Sequence, residues 1–185
     1  MSALPEEMPY TTADLETLPE GMRAEVMDGI LYDMAAPSVI HQLLCALLTT
    51  TLVNHIKGKK GTYKVFPAPF AVFINGTDDI YNYLEPDISV VCDPEKLKNG
   101  KGCDGAPDWI IEITSPSTAP NDYMLKLRKY QSAGVREYWI VNPASEEISV
   151  YIFSTPSTYA VYTFHESVPS HTLPGLSVDI HELLQ

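Results

Sequence analysis

The stretch DWIIEIT, residues 108–114, carries an acidic side chain inside an otherwise apolar run. An apolar run of this length is typical of a strand that is covered on both faces of a sheet. Because side chains alternate along a strand, Glu112 shares a face with Ile110 and Thr114. A carboxylate buried there is costly unless it is paired or binds a metal ion. Glu112 is therefore the first candidate functional residue, with a structural ion pair to Lys or Arg as the alternative.

The segments after this strand predict a strand–helix–strand unit. Residues 120–133 have a helical pattern that ends at Gly134, which suits a left-handed C-cap. EYWIVN, residues 137–142, is another buried strand, and two strands joined by a helix run parallel with a right-handed crossover. Residues 147–153 and 158–164 alternate like antiparallel strands, and their aromatic side chains make them candidates for an edge or an interface.

Before this strand, the sequence predicts a hairpin and a long helix. Asp28-Gly29 separates two alternating apolar stretches within residues 23–34, which is a strong hairpin signal. Residues 38–57 show apolar positions close to the helical period, and Ser38 can cap this helix.

Shorter signals complete the N-terminal half. Residues 11–19 predict a helical entry with Thr12 as its N-cap. TYKVFPAPFAVFI, residues 62–74, is rich in strand formers, but its prolines favour a bent pair or an edge strand. PDISVVC, residues 86–92, predicts a strand that begins near Asp87. The fold class that follows is α/β: a mixed sheet flanked by helices.

Length and composition are those of a globular protein. With 185 residues, 45% hydrophobic and 19% charged, we predict a single domain over residues 1–185, with residues 1–10 flexible. Three cysteines without a CxxC pair argue against a disulfide framework and a structural zinc site. The N-terminus has no signal-peptide pattern, and no apolar stretch suggests a membrane span. We therefore expect a cytoplasmic protein with no membrane partner.

Asp87 and Lys126 are the residues that could join Glu112. Asp87 begins its own strand after Pro86, so neighbouring strands could bring both carboxylates to one end of the sheet; a turn-forming Asp is the alternative. Two carboxylates are a normal protein contribution to a Mg²⁺ site. Lys126 lies on the crossover helix, which packs back on the sheet. Its alternative is a surface pair with Asp122, four residues earlier.

Three further polar residues stand in or beside apolar segments. Glu25 lies in the first strand of the predicted hairpin. His41 lies on the long helix, where a histidine on an apolar face is more often a satisfied core residue than a catalyst. Asp122 lies in the first turn of its helix, where a negative charge suits the helix dipole, and this structural interpretation is favoured.

Several blocks follow one another in a set order along the chain. They are EVMDG (25–29), PS with His41 (37–41), EPDISVV (85–91), APDWIIEITSPST (106–118), an Asp, a Lys and a Tyr at 122, 126 and 130, GVREYWIVNP (134–143) and LPGL (173–176). In this order they resemble the Uma-type restriction endonuclease family of the PD-(D/E)xK nuclease superfamily. The resemblance covers residues 25–184. It implies a restriction-endonuclease-like core with additional antiparallel strands.

The resemblance also implies roles for single residues. Asp87 matches the motif Asp, Glu112 matches the second acidic residue, and Glu25 matches an acidic residue that joins the site from the first element. The motif Lys should stand two residues after Glu112, where this chain has Thr114. In this family a lysine of the following helix, here Lys126, takes its place. Accessory positions in matching blocks are His41, Asp122 and Tyr130.

The function that this resemblance implies is a Mg²⁺- or Mn²⁺-dependent endonuclease that acts on DNA. A homodimer is the expected assembly, because the aromatic-rich strands 147–153 and 158–164 can form an interface and a dimer would place two sites for two DNA strands. Asp87 and Glu112 would hold the metal, with the Ile113 carbonyl completing the shell. Lys126 would orient and activate the attacking water, and Glu25 would bind a second metal or position a water.

Two other functions stay open. The net charge of −12 and the missing in-motif lysine favour a noncatalytic binding module that keeps the nuclease fold, since proteins that wrap nucleic acid usually carry a basic surface. A metal-dependent hydrolase of small phosphoesters is the third hypothesis, because an acidic surface tolerates a small substrate better than a long polyanion.

Overall fold

The computed structural model describes residues 8–116, 118–154 and 156–185. Its helices are α1 Thr12–Leu15, α2 Val39–Gly58, α3 Leu127–Ala133 and α4 Ile180–Leu183, with a 3₁₀ turn over Pro94–Leu97 and a π-helical turn over Asn121–Lys126. Its strands are β1 Ala24–Met27, β2 Ile30–Asp33, β3 Lys64–Pro67, β4 Val72–Phe73, β5 Asn82–Tyr83, β6 Ile88–Val91, β7 Cys103–Asp104, β8 Trp109–Ile113, β9 Glu137–Asn142, β10 Glu147–Ile152, β11 Thr158–Thr163, β12 Val168–Pro169 and β13 Ser177–Val178.

A six-stranded mixed sheet with the order β11-β10-β9-β8-β6-β3 forms the centre of the fold. Strands β8 and β9 pair in parallel, and the other neighbours in this sheet pair antiparallel. The predicted α/β class and the predicted parallel pair with its helical crossover are therefore confirmed. A second sheet, β2-β1-β5, carries Glu25, and two two-stranded sheets pair β4 with β7 and β12 with β13.

The predicted hairpin and long helix are confirmed. Asp28 and Gly29 join β1 to β2 with φ angles of 52° and 75°, the left-handed conformation that a two-residue type I′ turn requires. Ser38 caps α2, where its side chain accepts the backbone N–H of His41. Gly134, with φ of 92°, ends α3 as a left-handed cap.

The N-terminal entry differs in one detail from the prediction. The N-cap of α1 is Thr11 rather than Thr12, because the Asp14 carboxylate accepts both the N–H and the hydroxyl of Thr11 at 2.6 and 2.8 Å. Residues 1–7 of the segment predicted to be flexible lie outside the described residues. Tyr10 donates its backbone N–H to the Gly29 carbonyl at 2.8 Å, which ties the entry to the hairpin turn.

The proline-rich segment behaves as predicted. Strand β3 is an edge of the six-stranded sheet and ends at Pro67. The chain then bends through the cis Ala68–Pro69 peptide bond before it enters β4. Proline has no N–H to donate, which is why it suits the end of an edge strand.

The core has one apolar cluster on each face of the sheet. On one face, Leu44 and Leu48 of α2 pack near Trp109 and Trp139, whose rings meet edge to face at 4.8 Å. On the other face, Tyr130 of α3 joins the cluster that contains the alternate residues of β8 and β9, including Ile110, Tyr138 and Ile140. The sheet is thus covered by a helix on both sides, as the continuous apolar strands predicted.

Helix α2 corrects one expectation from the sequence. In the described part of the chain, this helix alone has the length and apolar composition to cross a membrane. The sequence reading overlooked it because neutral polar residues are interspersed with its apolar ones. Core helices of soluble proteins pass the same test. Leu44, Leu48 and Leu52 are fully buried in the core cluster, so one face of α2 packs on the sheet, while 22% of its apolar window as a whole is buried.

Glu137 is a buried carboxylate that the sequence reading did not single out. It accepts the indole N–H of Trp139 at 2.8 Å and the Ser170 hydroxyl at 3.2 Å. It also accepts the backbone N–H groups of His171 and Thr172 at 3.1 and 2.6 Å. The last three of these bonds fasten the segment after β12 to the start of β9, and the first lies within β9.

We expect Glu137→Ala to lower the free energy of unfolding by about 3 kcal/mol or more, because it leaves several buried donors unpaired. The measurement is urea denaturation followed by circular dichroism. Glu147→Ala, which removes an exposed carboxylate from the neighbouring strand, is the matched control and should leave the midpoint unchanged. Equal midpoints for the two variants would show that the four bonds contribute no net stability.

Candidate active site

Glu112 lies in β8 with its side chain buried, on the face predicted from strand alternation. Its Oε1 accepts the Tyr130 hydroxyl at 2.8 Å and the Lys126 ammonium at 3.0 Å. Its Oε2 accepts the backbone N–H of Asp87 at 3.4 Å. The buried carboxylate therefore has an ion pair, which is one of the two alternatives that the sequence left open, and it also lies beside the second predicted acidic residue.

The Lys126 ammonium stands between two carboxylates that are distant in sequence. It reaches Glu112 at 3.0 Å and Glu25 of β1 at 2.9 Å. Asp122 lies farther away, at 3.9 Å from the same nitrogen. The π-helical turn Asn121–Lys126 carries both Asp122 and Lys126, and such turns are frequent at functional sites. Both side chains are buried, so the interpretation of a surface pair between them was wrong.

Asp87 is held just before β6 by two donors that reach the same oxygen. The backbone N–H of Ile113 donates to Asp87 Oδ2 at 2.7 Å, and His41 Nε2 lies 3.0 Å from it. The other ring nitrogen of His41, Nδ1, is buried and has no hydrogen-bond partner among the described residues. His41 is therefore not the fully satisfied core histidine that its helix position suggested.

Burial and neighbouring charges shift the pKa values of Glu112 and Lys126, the two residues at the centre. Burial raises the pKa of the Glu112 carboxyl well above its usual value, and the neighbouring Asp87, Asp122 and Glu25 carboxylates add to the shift against the opposing effect of Lys126. Burial lowers the pKa of Lys126, but the opposite effect of the Glu112 and Glu25 carboxylates is larger, so the pKa of Lys126 lies well above that of an ordinary lysine. Lys126 is therefore a cation at neutral pH.

Two peripheral groups also have shifted pKa values. Burial raises the pKa of Asp122, although Lys126 and hydrogen bonds from Thr114 and Thr118 oppose the shift. Burial lowers the pKa of His41, but the hydrogen bond and the charge of Asp87 outweigh it and raise the pKa. A negative electrostatic environment thus extends from Glu25 to His41.

These side chains line a cavity of about 280 Å³. Of the eight predicted site residues, Tyr130 does not line the cavity, but its hydroxyl donates to Glu112. The other seven line it: Glu25, His41, Asp87, Glu112, Ile113, Asp122 and Lys126. Arg23 also lines the cavity and pairs with Glu85, and the sequence reading missed it. The signal was available, because Arg23 stands two residues before Glu25 and shares its side of an extended chain.

The donor set is suited to a hard divalent cation. Within residues 8–116, 118–154 and 156–185, no three side chains of His, Cys, Asp and Glu are placed so that they hold a metal ion by themselves. Mg²⁺ does not need such a cage, since it is usually bound by one or two carboxylates, with waters and substrate phosphate completing the octahedron. Asp87 and Glu112 supply two carboxylates side by side on the cavity wall, so the residues present fit this ion.

The comparison with protein families gives a match over nearly the whole chain. The family model Uma2, described as "putative restriction endonuclease", matches residues 12–181. An uncharacterized protein of Synechocystis sp. is 29% identical over 144 residues, which cover 77% of this chain and 73% of that protein.

The fold itself recurs in a solved structure. The crystal structure of a "putative nuclease belonging to DUF820" from Anabaena variabilis superposes with a TM-score of 0.75 and covers 95% of this chain and 97% of that chain. The identity is 20%, so this likeness shows a common fold. It agrees with the mixed α/β core predicted from the sequence.

We expect Glu112→Gln to change the pH dependence of stability. A carboxyl whose pKa is raised on folding contributes stability below its usual pKa, near 4.5, that is lost as pH rises through the folded-state value. The variant lacks this loss, so its free energy of unfolding relative to wild type should rise as pH increases from about 4.5 to the folded-state pKa of Glu112, by up to about 1.4 kcal/mol per pH unit.

Urea denaturation at a series of pH values measures this difference. Glu147→Gln, at an exposed position, serves as the control and should run parallel to wild type. A difference between Glu112→Gln and wild type that stays constant with pH would contradict a raised pKa at Glu112.

Proposed function

The chain belongs to the Uma2 family, described as "putative restriction endonuclease", and from this membership we propose that it is a Mg²⁺- or Mn²⁺-dependent endonuclease that hydrolyses phosphodiester bonds in DNA. The family supports a nuclease. Metal dependence, the DNA substrate, a cytoplasmic location and a homodimeric assembly are parts of the proposal.

One observation carries the proposal. The Lys126 ammonium is buried between Glu25 and Glu112, beside Asp87, at the wall of an open cavity. An ion pair with a purely structural role needs neither a cavity beside it nor more carboxylates than ammonium groups. Here three carboxylates, from Glu25, Glu112 and Asp122, lie within 3.9 Å of one lysine ammonium, and Asp87 adjoins Glu112 on the cavity wall. This surplus of acid over base favours a divalent cation there.

The residues that would hold the metal are Asp87 and Glu112, with the Ile113 carbonyl as a third donor. Such an ion, when bound, stabilises negative charge on phosphate oxygens and lowers the pKa of water. The protein's part is to fix the donors. The Ile113 N–H and His41 set the orientation of Asp87, and the Tyr130 hydroxyl sets the orientation of Glu112.

Lys126 would act as a charged hydrogen-bond donor. A lysine with a raised pKa does not remove a proton from water, so it would orient the attacking water and stabilise the negative charge that develops on the phosphate. Glu25 holds the ammonium at 2.9 Å and accepts the Glu85 N–H at 2.9 Å, which makes it the residue that positions Lys126. This role for Glu25 is an alternative to a second metal site.

The test is Asp87→Asn, which keeps the shape of the side chain and removes its charge. We expect nicking of supercoiled plasmid with Mn²⁺ to fall at least ~100-fold, the usual scale for losing a group that stabilises transition-state charge. Calorimetric titration should show that Mn²⁺ binding is lost as well. Asp78→Asn, at an exposed position, is the matched control and should cleave and bind Mn²⁺ like wild type.

Each outcome separates the proposal from the noncatalytic alternative. Wild type that neither binds Mn²⁺ nor nicks DNA would favour a binding module that keeps the fold. Cleavage that persists in a folded Asp87→Asn variant would place the chemistry elsewhere.

A hydrolase of small phosphoesters is a second candidate, favoured by the size of the cavity and by the net charge of −12. A space of about 280 Å³ admits a phosphate group with a small substituent. With oligonucleotide and bis(p-nitrophenyl) phosphate in one Mn²⁺ assay, the endonuclease proposal predicts that the oligonucleotide suppresses ester turnover. Ester turnover that is unaffected by excess oligonucleotide would favour the small-substrate enzyme.

A further inference from the structure

Strand β11 is an open edge of the six-stranded sheet, because it pairs with β10 on one side only. The Phe164 N–H donates to the Glu146 carbonyl, so residues 158, 160 and 162 also direct their backbone groups to β10. Tyr159 and Val161 therefore direct theirs outward. Among the described residues, no hydrogen bond reaches these outward groups from another segment.

The outward backbone of the next residue, Thr163, is already occupied. Its N–H donates to the Glu166 carboxylate at 2.7 Å, and its carbonyl accepts the Glu166 N–H at 3.1 Å. The Glu166 turn thus closes one end of the edge and leaves a short free section centred on residues 159–161. A free section of this length accepts one strand of limited extent.

The two edges of the sheet are protected to different degrees. The opposite edge, β3, contains Lys64 and Pro67, the kinds of residue with which natural proteins prevent edge pairing. Strand β11 has neither: residues 148–165 contain no Asp, Glu, Lys or Arg, and the strand contains no Pro. An unprotected edge of this kind is a template for another strand.

The side chains on this edge are apolar and exposed. Tyr159 and Val161 are 57% and 47% exposed, on the face of the sheet that carries α3. Tyr151 of β10 lies beside Tyr159 with ring centroids 4.7 Å apart, and Phe153 continues the row at 6.3 Å from Tyr151. The result is an aromatic strip that runs up to the open edge.

We propose that β11 pairs with β11 of a second copy of this chain, antiparallel about a two-fold axis at Ala160. In this register Tyr159 of each copy stands opposite Val161 of the other, and the outward N–H and C=O groups of these residues make four backbone hydrogen bonds. Aromatic residues opposite β-branched residues are favourable cross-strand pairs. Ala160, the smallest side chain of the strand, lies on the axis, where the two backbones come closest.

A second copy fits this edge better than an unrelated strand for two reasons. The pattern is self-complementary, since the same two residues supply both halves of each pair. The charge is also suitable: two chains of net charge −12 repel each other as whole molecules, and β11 offers a section without Asp, Glu, Lys or Arg at which they can meet. The pairing assigns an interface to the homodimer that is part of the proposed function. It does not rest on the proposed nuclease activity, because none of its residues lines the cavity.

The first experiment is light scattering after gel filtration of the full chain. Wild type should have twice the chain mass of 20.5 kDa. Val161→Lys places two like charges within ~8 Å across the axis, and we expect it to weaken the dimer by about 100-fold or more. Val39→Lys, at another exposed valine, makes the same change in charge and should remain dimeric. Thermal melts of both variants check that each is folded.

The second experiment tests the register. Directly opposite residues of a non-hydrogen-bonded antiparallel pair have Cα atoms ~4.5 Å apart, within the range of a disulfide. We expect Ala160→Cys to form a disulfide-linked dimer in air, seen on a non-reducing gel. Ala46→Cys, at an exposed position of α2, is the control and should not crosslink.

Monomeric wild type, or a dimer that Val161→Lys leaves intact, would overturn the proposal. A dimer that Val161→Lys dissociates but Ala160→Cys does not link would overturn the register. Loss of the dimer with full plasmid nicking leaves the proposed nuclease activity standing, so the activity and the interface fail separately.

Discussion

The ion pair of Lys126 with Glu112 and Glu25 is the interaction on which the rest of the structure depends. The partners are 14 and 101 residues from the lysine, on the central strand β8 and on the hairpin strand β1. Removing one member of a buried pair typically costs about 3–5 kcal/mol, because the other charge is left uncompensated. The same contact therefore joins the small sheet to the central sheet and assembles the cavity, so fold and site are stabilised together.

Features that depend on a few neighbouring residues could be predicted from the sequence. The Asp28-Gly29 turn, the Ser38 cap and the Gly134 cap each depend on local backbone geometry, and each is present. Glu112 belongs to this class as well, since the cost of a carboxylate in an apolar strand follows from the strand alone. Its partner Lys126 could be named only as one of two alternatives, because the tertiary packing decides whether this lysine reaches the sheet or pairs with Asp122 at the surface.

The sequence does not predict contacts of residues whose local sequence pattern is the same at the surface and in the interior. An Asp four residues before a Lys looks alike on an exposed and on a covered helical turn, so a surface pair of Asp122 with Lys126 stayed open as an alternative although both side chains are buried. Glu137 was missed because two of its four donors are backbone N–H groups from a distant segment, and no side-chain pattern encodes them. Burial, rather than propensity, decides both cases.

The net charge of −12 is distributed unevenly, and this bears on how an anionic substrate reaches the cavity. Residues 34–77 contain no Asp or Glu, and within them Lys57, Lys59, Lys60 and Lys64 are exposed. Residues of this stretch line the cavity together with the carboxylates of Glu25, Glu85, Glu112 and Asp122. At physiological ionic strength exposed charges are screened beyond ~8 Å, so the nearby charges matter more than the chain average. Lys57 is 12 residues along α2 from Cys45, the last residue of this helix on the cavity wall, which is roughly 18 Å. The lysines are therefore screened from the cavity, and what the α2 stretch contributes there is an absence of carboxylates. The repulsion that an anion meets comes from the carboxylates that line the cavity, and the proposed cation would reverse their local sign.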